Sequence, residues 1–128
     1  MTEVGKSRRA LRAPSELNDV YEFLDKVRLR PSMWVWRGSL QHLYSMLAGY
    51  AIAQEIHGID ESFDFDNDGP FAEWLWPRLG MSYSSALGWA AEIENAAEKS
   101  STPAMELFFT LLDEFRAERD HAQDPSAK

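Results

Sequence analysis

Apolar residues recur at intervals of three and four along most of this sequence, the spacing that places them on one face of an α-helix. The clearest stripe runs from Met105 to Phe115, and Pro103 before it suits the first turn of a helix. A second stripe begins at Leu40 and ends before Gly58, which favours a helix stop. The pattern predicts an all-α fold, a single compact domain of about five helices.

Three further helices complete this prediction. One ends near Leu29, because Pro31 lacks an N–H and restricts the residue before it. Another covers residues 71–76, and a third starts at Ser82 or Ser84. The inner face of the third is expected to contain Leu87, Ala90, Ala91, Ile93 and Ala97.

The chain divides into one domain and two tails. Residues 1–14 are basic and lack an apolar period, so a flexible N-terminal tail is predicted there. Residues 15–120 form the helical domain, and residues 121–128 are predicted to fray. Met33–Trp36 is the one stretch assigned as a possible short extended segment.

The helix that starts after Ser39 is predicted to be the most buried. It contains several small residues, which allow close packing of another helix. Gly49 costs about 1 kcal/mol relative to alanine inside a helix. A close packing contact at Gly49 is therefore expected to compensate for that cost.

The stretch from residue 28 to residue 38 combines arginines, a proline and two tryptophans. We interpret it as architectural. Pro31 ends a helix, Met33 fills the core beside Trp34, and Arg30 caps helix carbonyls or pairs with an acid.

Charge is distributed unevenly. The formal net charge is −8, but residues 1–14 contain four cations and one acid, +3 in all, which leaves −11 for the rest. Between Gly38 and Pro77 there are seven acids and no Lys or Arg. Such a surface repels nucleic acid and attracts a basic protein. The alternative is that the acidity only maintains solubility.

Residues 59–69 are predicted to form an acidic loop from which Phe63 and Phe65 turn towards the core. The acids of the loop are Asp60, Glu61, Asp64, Asp66 and Asp68. Three functions remain open for it: a solvated loop whose Asp68 caps the next helix, a recognition loop for a basic protein, and a calcium loop.

The calcium interpretation fits only the start of the loop. Asp64, Asp66 and Asp68 alternate and a glycine follows, as in the first half of a calcium-binding loop. The twelfth position, which should supply a bidentate glutamate, is Leu75. No metal site is therefore predicted.

The tryptophans include two pairs spaced two residues apart. In a helix, Trp74 and Trp76 point about 160° apart, so one should be more exposed than the other. An exposed tryptophan beside acids is a typical interface anchor. The alternative is that all the tryptophans belong to the core.

No catalytic site or cofactor is predicted, so we do not expect an enzyme. The chain has no Cys, and its histidines lack metal-ligand spacing. It contains neither a nucleophile elbow nor a phosphate-binding glycine loop. No signal peptide is recognisable, and the uncharged stretch of residues 38–54 is too short and too polar to span a membrane. We expect a cytoplasmic protein that binds neither membrane nor nucleic acid.

Several motifs resemble a family of small bacterial proteins, with a likeness over about residues 20–116. The family pattern is Arg-Pro-x-Met-aromatic, then Ser-Leu, then a helix containing Gly-Tyr. The matching positions here are Phe23, Leu24, Val27, Arg30, Pro31, Met33, Trp34, Ser39, Leu40, Leu43, Leu47, Gly49 and Tyr50. Phe63, Phe71, Gly88, Trp89 and the segment 104–115 continue the likeness. The sequence departs from the pattern at Trp36, where the family usually has glycine.

Some members of that family resemble immunity proteins encoded beside polymorphic toxins. The resemblance and the charge distribution together lead us to expect an immunity-type inhibitor of a cognate toxin, such as a basic nuclease. The residues expected to bind the partner are Asp60, Glu61, Asp64, Asp66, Asp68, Glu73, Trp74 and Trp76. The alternative is a helical adaptor or regulatory protein, including one that forms a homodimer.

Overall fold

The computed structural model describes residue 17 and residues 19–123, and within them it contains six α-helices and no β-strand. The helices are α1 (Val20–Leu29), α2 (Pro31–Trp34), α3 (Leu40–Ile56), α4 (Pro70–Arg78), α5 (Trp89–Ser100) and α6 (Ala104–Gln123). The predicted all-α class is confirmed, with the four-residue α2 as an additional helix. The predicted N-terminal tail lies outside the described residues, and α6 continues past the predicted boundary at residue 120.

Pro31 ends α1 and also begins α2. Asp19 caps α1, because its Oδ1 accepts a hydrogen bond from the Glu22 N–H at 2.9 Å. Pro31 occupies the first turn of α2, where its missing N–H costs nothing. The extended segment predicted at 33–36 is wrong: only Val35 has extended backbone angles, and a 3₁₀ turn follows it at Trp36–Gly38.

Apolar residues occur on all sides of helix α3, but the helix is buried on one side only. Its buried residues are Leu40, Leu43, Leu47 and Gln54. Ile56 is 73% exposed, and an alanine Cβ built at Gly49 would meet nothing within 4 Å. The predictions that α3 is the most buried helix and that Gly49 permits close packing are therefore wrong.

Gly69 lets the acidic loop turn tightly into α4. A Cβ at this position would lie 3.2 Å from the backbone oxygens of both Asp64 and Asp66. Gly69 itself is the N-cap residue, and no side chain caps the helix, so the predicted cap by Asp68 is wrong. Helix α4 also continues through Pro77, since a proline in the last turn removes only one hydrogen bond.

Helix α5 begins at Trp89 and not at Ser82 or Ser84. Gly88 has φ +93°, outside the helical region, and a Cβ there would lie 2.8 Å from the Tyr44 hydroxyl oxygen. Tertiary contact therefore sets the start of α5. As a consequence Leu87, predicted on the inner face, is 68% exposed.

The core is built around Trp89. Its ring stacks on Phe108 with centroids 5.2 Å apart and meets Phe71 edge-on at 5.5 Å. Its Nε1–H donates a hydrogen bond to the Phe65 carbonyl oxygen at 2.8 Å. These contacts join α4, α5 and α6 to the acidic loop, so the loop is packed on the core and not merely tethered at its ends.

Candidate functional site

A groove of about 470 Å³ opens between the second half of α3 and the acidic loop. We call it the acidic groove. Its lining residues are Ala48, Ala51, Ile52, Gln54, Glu55, Ile59, Glu61, Phe63 and Asp66. Apolar and acidic side chains therefore share one concave surface.

The floor of the acidic groove is apolar and partly exposed. Phe63 stacks on Tyr50 with ring centroids 5.9 Å apart and meets Phe65 edge-on at the same distance. Phe65 is buried and Phe63 half-buried, which confirms that both turn towards the core. Ile52 and Ile59 remain largely exposed, so the floor offers apolar surface that the fold does not cover.

Carboxylates surround this floor. Both oxygens of Glu61 lie 3.1 Å from the Tyr50 hydroxyl, which donates to them. Burial and then this hydrogen bond raise the pKa of Tyr50 to about 12, so the hydroxyl keeps its proton at neutral pH. Burial and then the charges of Asp68 and Glu55 raise the pKa of Asp66. The charges of Glu55, Asp66 and Asp68 thus repel one another, and Glu61 lines the same groove.

No cation neutralises this cluster among the residues that the structure describes. The ion pairs found there join Arg28 with Asp113, Arg78 with Glu114 and Glu118, Arg116 with Asp25, and Arg119 with Asp64. None of them includes Glu55, Glu61 or Asp66. The acidic groove is consequently a region of uncompensated negative charge.

Gln54 is the polar residue of the groove that the fold leaves unsatisfied. It is only 7% exposed, and its Nε2 is buried without a hydrogen-bond partner among the described residues. A buried amide donor normally has a partner, because leaving it unpaired forfeits its hydration. Gln54 is one of the residues that line the acidic groove.

The structure brings together only part of the predicted partner-binding set. Glu61 and Asp66 line the acidic groove, whereas Asp60 and Asp68 are exposed on the same loop. Glu73 is exposed on α4 but does not line the groove.

Asp64 belongs to an internal charge cluster and is not free to attract a partner. Its Oδ2 accepts hydrogen bonds from Arg119 at 2.8 Å and from the Tyr21 hydroxyl. Burial favours the neutral acid, but these two bonds and the charge of Arg119 outweigh it and lower the pKa of Asp64. The assignment of Asp64 to the binding surface is therefore wrong, and the carboxylate anchors the loop to α6.

The tryptophans of α4 also make their contacts within the fold. Trp76 is buried and Trp74 half-buried, which confirms the predicted difference in exposure. The Trp74 Nε1–H donates to Glu118 at 3.0 Å, and the Arg78 guanidinium lies 4.7 Å from its ring centroid. Burial rules out Trp76 as an exposed anchor, and Trp74 fastens α4 to α6.

The Arg-Pro-x-Met-aromatic stretch contains the largest departure from the predicted architecture. Met33 is 69% exposed and Trp36 is 62% exposed, whereas Trp34 packs edge-on against Phe23. The Arg37 guanidinium lies 4.4 Å from the Trp36 ring centroid, and Arg37 itself has φ +59°. Met33 is thus a surface residue, and its assignment to the core is wrong.

Replacing Met33 by alanine should change the free energy of unfolding by less than about 0.5 kcal/mol, because the side chain is mostly in water already. Leu43→Ala is the matched control, since Leu43 is fully buried and its truncation should cost about 2–5 kcal/mol. Urea unfolding followed by tryptophan fluorescence measures both. A loss above about 2 kcal/mol for Met33→Ala would contradict the exposed position.

Sequence reasoning did not identify Gln54, Glu55, Ile52 or Ile59 as site residues. One signal was present: Gln54 continues the buried stripe of α3 one heptad after Leu47. A polar residue in an apolar stripe indicates either a hydrogen-bonded core position or a site.

The structure provides no metal centre within the part of the chain it describes. No group of three or more His, Asp or Glu residues there is arranged to hold an ion. The Asp64 carboxylate, the first ligand of a calcium loop in the sequence pattern, is bound to Arg119. Among the same residues no helix is both long enough and apolar enough to cross a membrane.

The fold and the groove together define a small all-α protein with an acidic, apolar-floored groove on one face. Comparison of the chain with models of protein families, with curated proteins and with solved structures finds no match. Any assignment of function must therefore rest on the chemistry of the protein's surface.

Proposed function

We propose that this protein binds a basic protein partner, and that it is an immunity-type inhibitor which neutralises a cognate bacterial toxin. In this proposal it acts in the cytoplasm and catalyses no reaction. The observation that carries the proposal is the acidic groove, where uncompensated carboxylates surround exposed apolar side chains.

That combination has the composition of a protein-binding surface. Charge accelerates the encounter and selects a partner of opposite sign, while apolar area buried at the centre supplies most of the affinity. Between Gly38 and Pro77 the chain has no Lys or Arg that would weaken the field. A surface needed only for solubility would not require the apolar floor of Ile52 and Ile59.

A toxin that attacks nucleic acid fits this surface well. Such an enzyme must present a basic cleft to the phosphate backbone. An acidic protein with apolar side chains at its centre competes for that cleft and excludes the substrate. The Arg-Pro-x-Met-aromatic motif, which resembles that of a family with some immunity-like members, supports the same class of partner.

The test is capture followed by reconstitution. The tagged protein is purified from its native host at moderate salt, and the protein that it retains is identified and expressed alone. We expect one basic partner, a stoichiometric complex that higher salt dissociates, and loss of the partner's toxicity or activity at one equivalent. A captured partner that keeps full activity would exclude the inhibitor assignment.

A second candidate is a homodimeric adaptor, which the exposed outer face of α3 favours. Met46, Ile52 and Ile56 are exposed on this helix, which contains no Lys or Arg. An obligate dimer would melt at a temperature that rises with protein concentration. Melting independent of concentration, with a monomeric mass in sedimentation, would exclude this alternative.

Removing two charges from the loop should slow binding of the captured partner. We expect Asp66→Asn with Asp68→Asn to lower the association rate constant about three- to tenfold at low ionic strength and to flatten its salt dependence. Stopped-flow fluorescence at several salt concentrations measures the effect.

The matched control removes the same charge elsewhere. Glu98→Gln with Glu106→Gln neutralises two exposed acids near the junction of α5 and α6. Glu106 lies 13 residues before Arg119, the α6 residue that holds the loop, which is about 20 Å along a helix. Equal slowing by both double variants would show that net charge, and not the acidic loop, governs the encounter.

A further inference from the structure

We propose that the acidic groove receives a lysine or arginine side chain from the partner and that Gln54 binds a carbonyl oxygen of the same segment. This inference rests on the proposed function and specifies the chemistry of the contact. It follows from three properties of the groove: its floor, its rim and its unpaired donor.

The apolar floor suits the stem of a long cationic side chain. Lys and Arg bury their methylene groups against apolar surface while the charged head remains among polar groups. Ile52, Ile59 and Phe63 provide that surface, and a groove of about 470 Å³ is large enough for one such side chain with its backbone.

The rim suits the charged head. Glu55, Glu61 and Asp66 place three carboxylates around one opening, and none is paired with a cation among the described residues. Glu61 is already held by the Tyr50 hydroxyl, which leaves Glu55 and Asp66 free to contact the incoming cation. An acid in the partner would be repelled, and a purely apolar side chain would leave the rim unpaired.

The unpaired donor distinguishes this groove from an ordinary acidic surface. Gln54 lines the same groove, and its Nε2 is a buried N–H donor that has no partner among the described residues. A cation cannot satisfy a donor, so the ligand must also carry an acceptor. A peptide segment carries both, since the backbone carbonyl lies next to the side chain that enters the groove.

The direct test uses small probes and does not require the partner. The ¹⁵N-labelled full-length protein is titrated with N-acetyl-lysine methylamide, N-acetyl-arginine methylamide and N-acetyl-norleucine methylamide. We expect the first two to shift the Gln54 side-chain NH₂ signals and the amides of Glu55 and Asp66 in a saturable manner. Norleucine, which has the stem without the charge, should bind about tenfold more weakly or not at all.

Two glutamine substitutions on α3 distinguish binding at the groove from effects elsewhere on the helix. Gln54→Leu removes the donor but keeps the size of the side chain, and it should weaken binding of the cationic probes about fivefold. Gln41→Leu is the matched control, because Gln41 is exposed in the first turn and bonds to Glu94. Gln41→Leu should leave the binding unchanged.

Four results would overturn the inference. The first is that the NMR signals of all acidic residues shift evenly and without saturation, and the second is that the norleucine probe binds as tightly as the cationic probes. The third is that Gln54→Leu binds the probes as tightly as the wild type. The fourth is that the Gln54 signals shift when the protein concentration alone is raised. The last result would identify a second copy of the chain as the occupant.

The outcomes also separate this inference from the proposed function. If Gln54→Leu binds the captured toxin with unchanged affinity, the proposed contact at the groove is wrong, but the assignment of the protein as an inhibitor stands. If the cationic probes saturate the groove but the captured protein is not inhibited, the groove contact stands and the inhibitor assignment fails.

Discussion

Replacing Trp89 by alanine is expected to lower the free energy of unfolding by about 3–5 kcal/mol, the largest effect of any single substitution considered. The side chain is fully buried and contacts aromatic rings from four parts of the chain, which are Tyr44, Phe65, Phe71 and Phe108. Alanine would leave a cavity that rigid rings cannot close. A domain of this size has only about 5–15 kcal/mol of stability, so the variant would be close to unfolding.

Two further tryptophan variants make this result interpretable. Trp89→Phe keeps most of the volume but leaves the Phe65 carbonyl without its hydrogen bond, so a loss of about 1–2 kcal/mol is expected. Trp36→Ala removes an exposed indole and should cost less than about 1 kcal/mol. Urea unfolding measures all three. A Trp89→Ala protein as stable as Trp36→Ala would show that the core is not organised around Trp89.

Replacing Asp64 by asparagine is expected to lower the free energy of unfolding at neutral pH by about 2–3 kcal/mol. The substitution keeps the shape but leaves Arg119 without its carboxylate, and breaking a buried ion pair is costly. The figure lies below the range for fully buried pairs because the Arg119 side chain is one-third exposed. Asp113→Asn is the control, since its pair with Arg28 is exposed and should contribute at most about 1 kcal/mol.

The same variant should change the response to acid. The folded-state pKa of Asp64 is lowered, so the stabilisation by its carboxylate is complete above the unfolded pKa of about 3.9 and is lost as pH falls through the folded value. The difference between wild type and Asp64→Asn should therefore shrink as the pH falls below about 4. A difference that stays constant over this fall in pH would exclude the ionised carboxylate as its origin.

This ion pair also bears on the groove. Asp64 lies between Phe63 and Phe65, so its bond to Arg119 holds both rings and the neighbouring Asp66 in place. We therefore expect acid to loosen the acidic groove before the core of α5 and α6 unfolds. Hydrogen exchange at pH 3 would then show earlier loss of protection at the Gly69 amide, which donates to the Asp66 carbonyl oxygen at 2.9 Å, than at the Phe108 amide within α6.

Much of the fold could be predicted from local patterns. The stripe of α6 identified buried residues such as Met105 and Phe115. The 3.6-residue period also predicted unequal exposure of Trp74 and Trp76, although not which of them would be buried. Periodicity assigns residues to faces, and a helix with one apolar face must bury that face.

The candidate site could be predicted only in part, because its residues depend on partners distant in the chain. The sequence shows the loop as an acidic segment, but it does not show which of its carboxylates are paired with a cation. Asp64 is paired with an arginine 55 residues away, whereas no cation among the described residues forms an ion pair with Asp66. Charge counting treats these two residues alike.

Local sequence was sufficient to predict the helical class, the inward turn of Phe63 and Phe65, and a long segment without cations. Each depends on composition or on neighbours a few residues away. Packing between distant elements places Met33 at the surface, sets the start of α5 at Trp89, and buries Gln54 with no partner for its Nε2 among the described residues. These outcomes depend on which elements pack together. An amphipathic pattern indicates that a helix face is covered, but it does not identify the element that covers it.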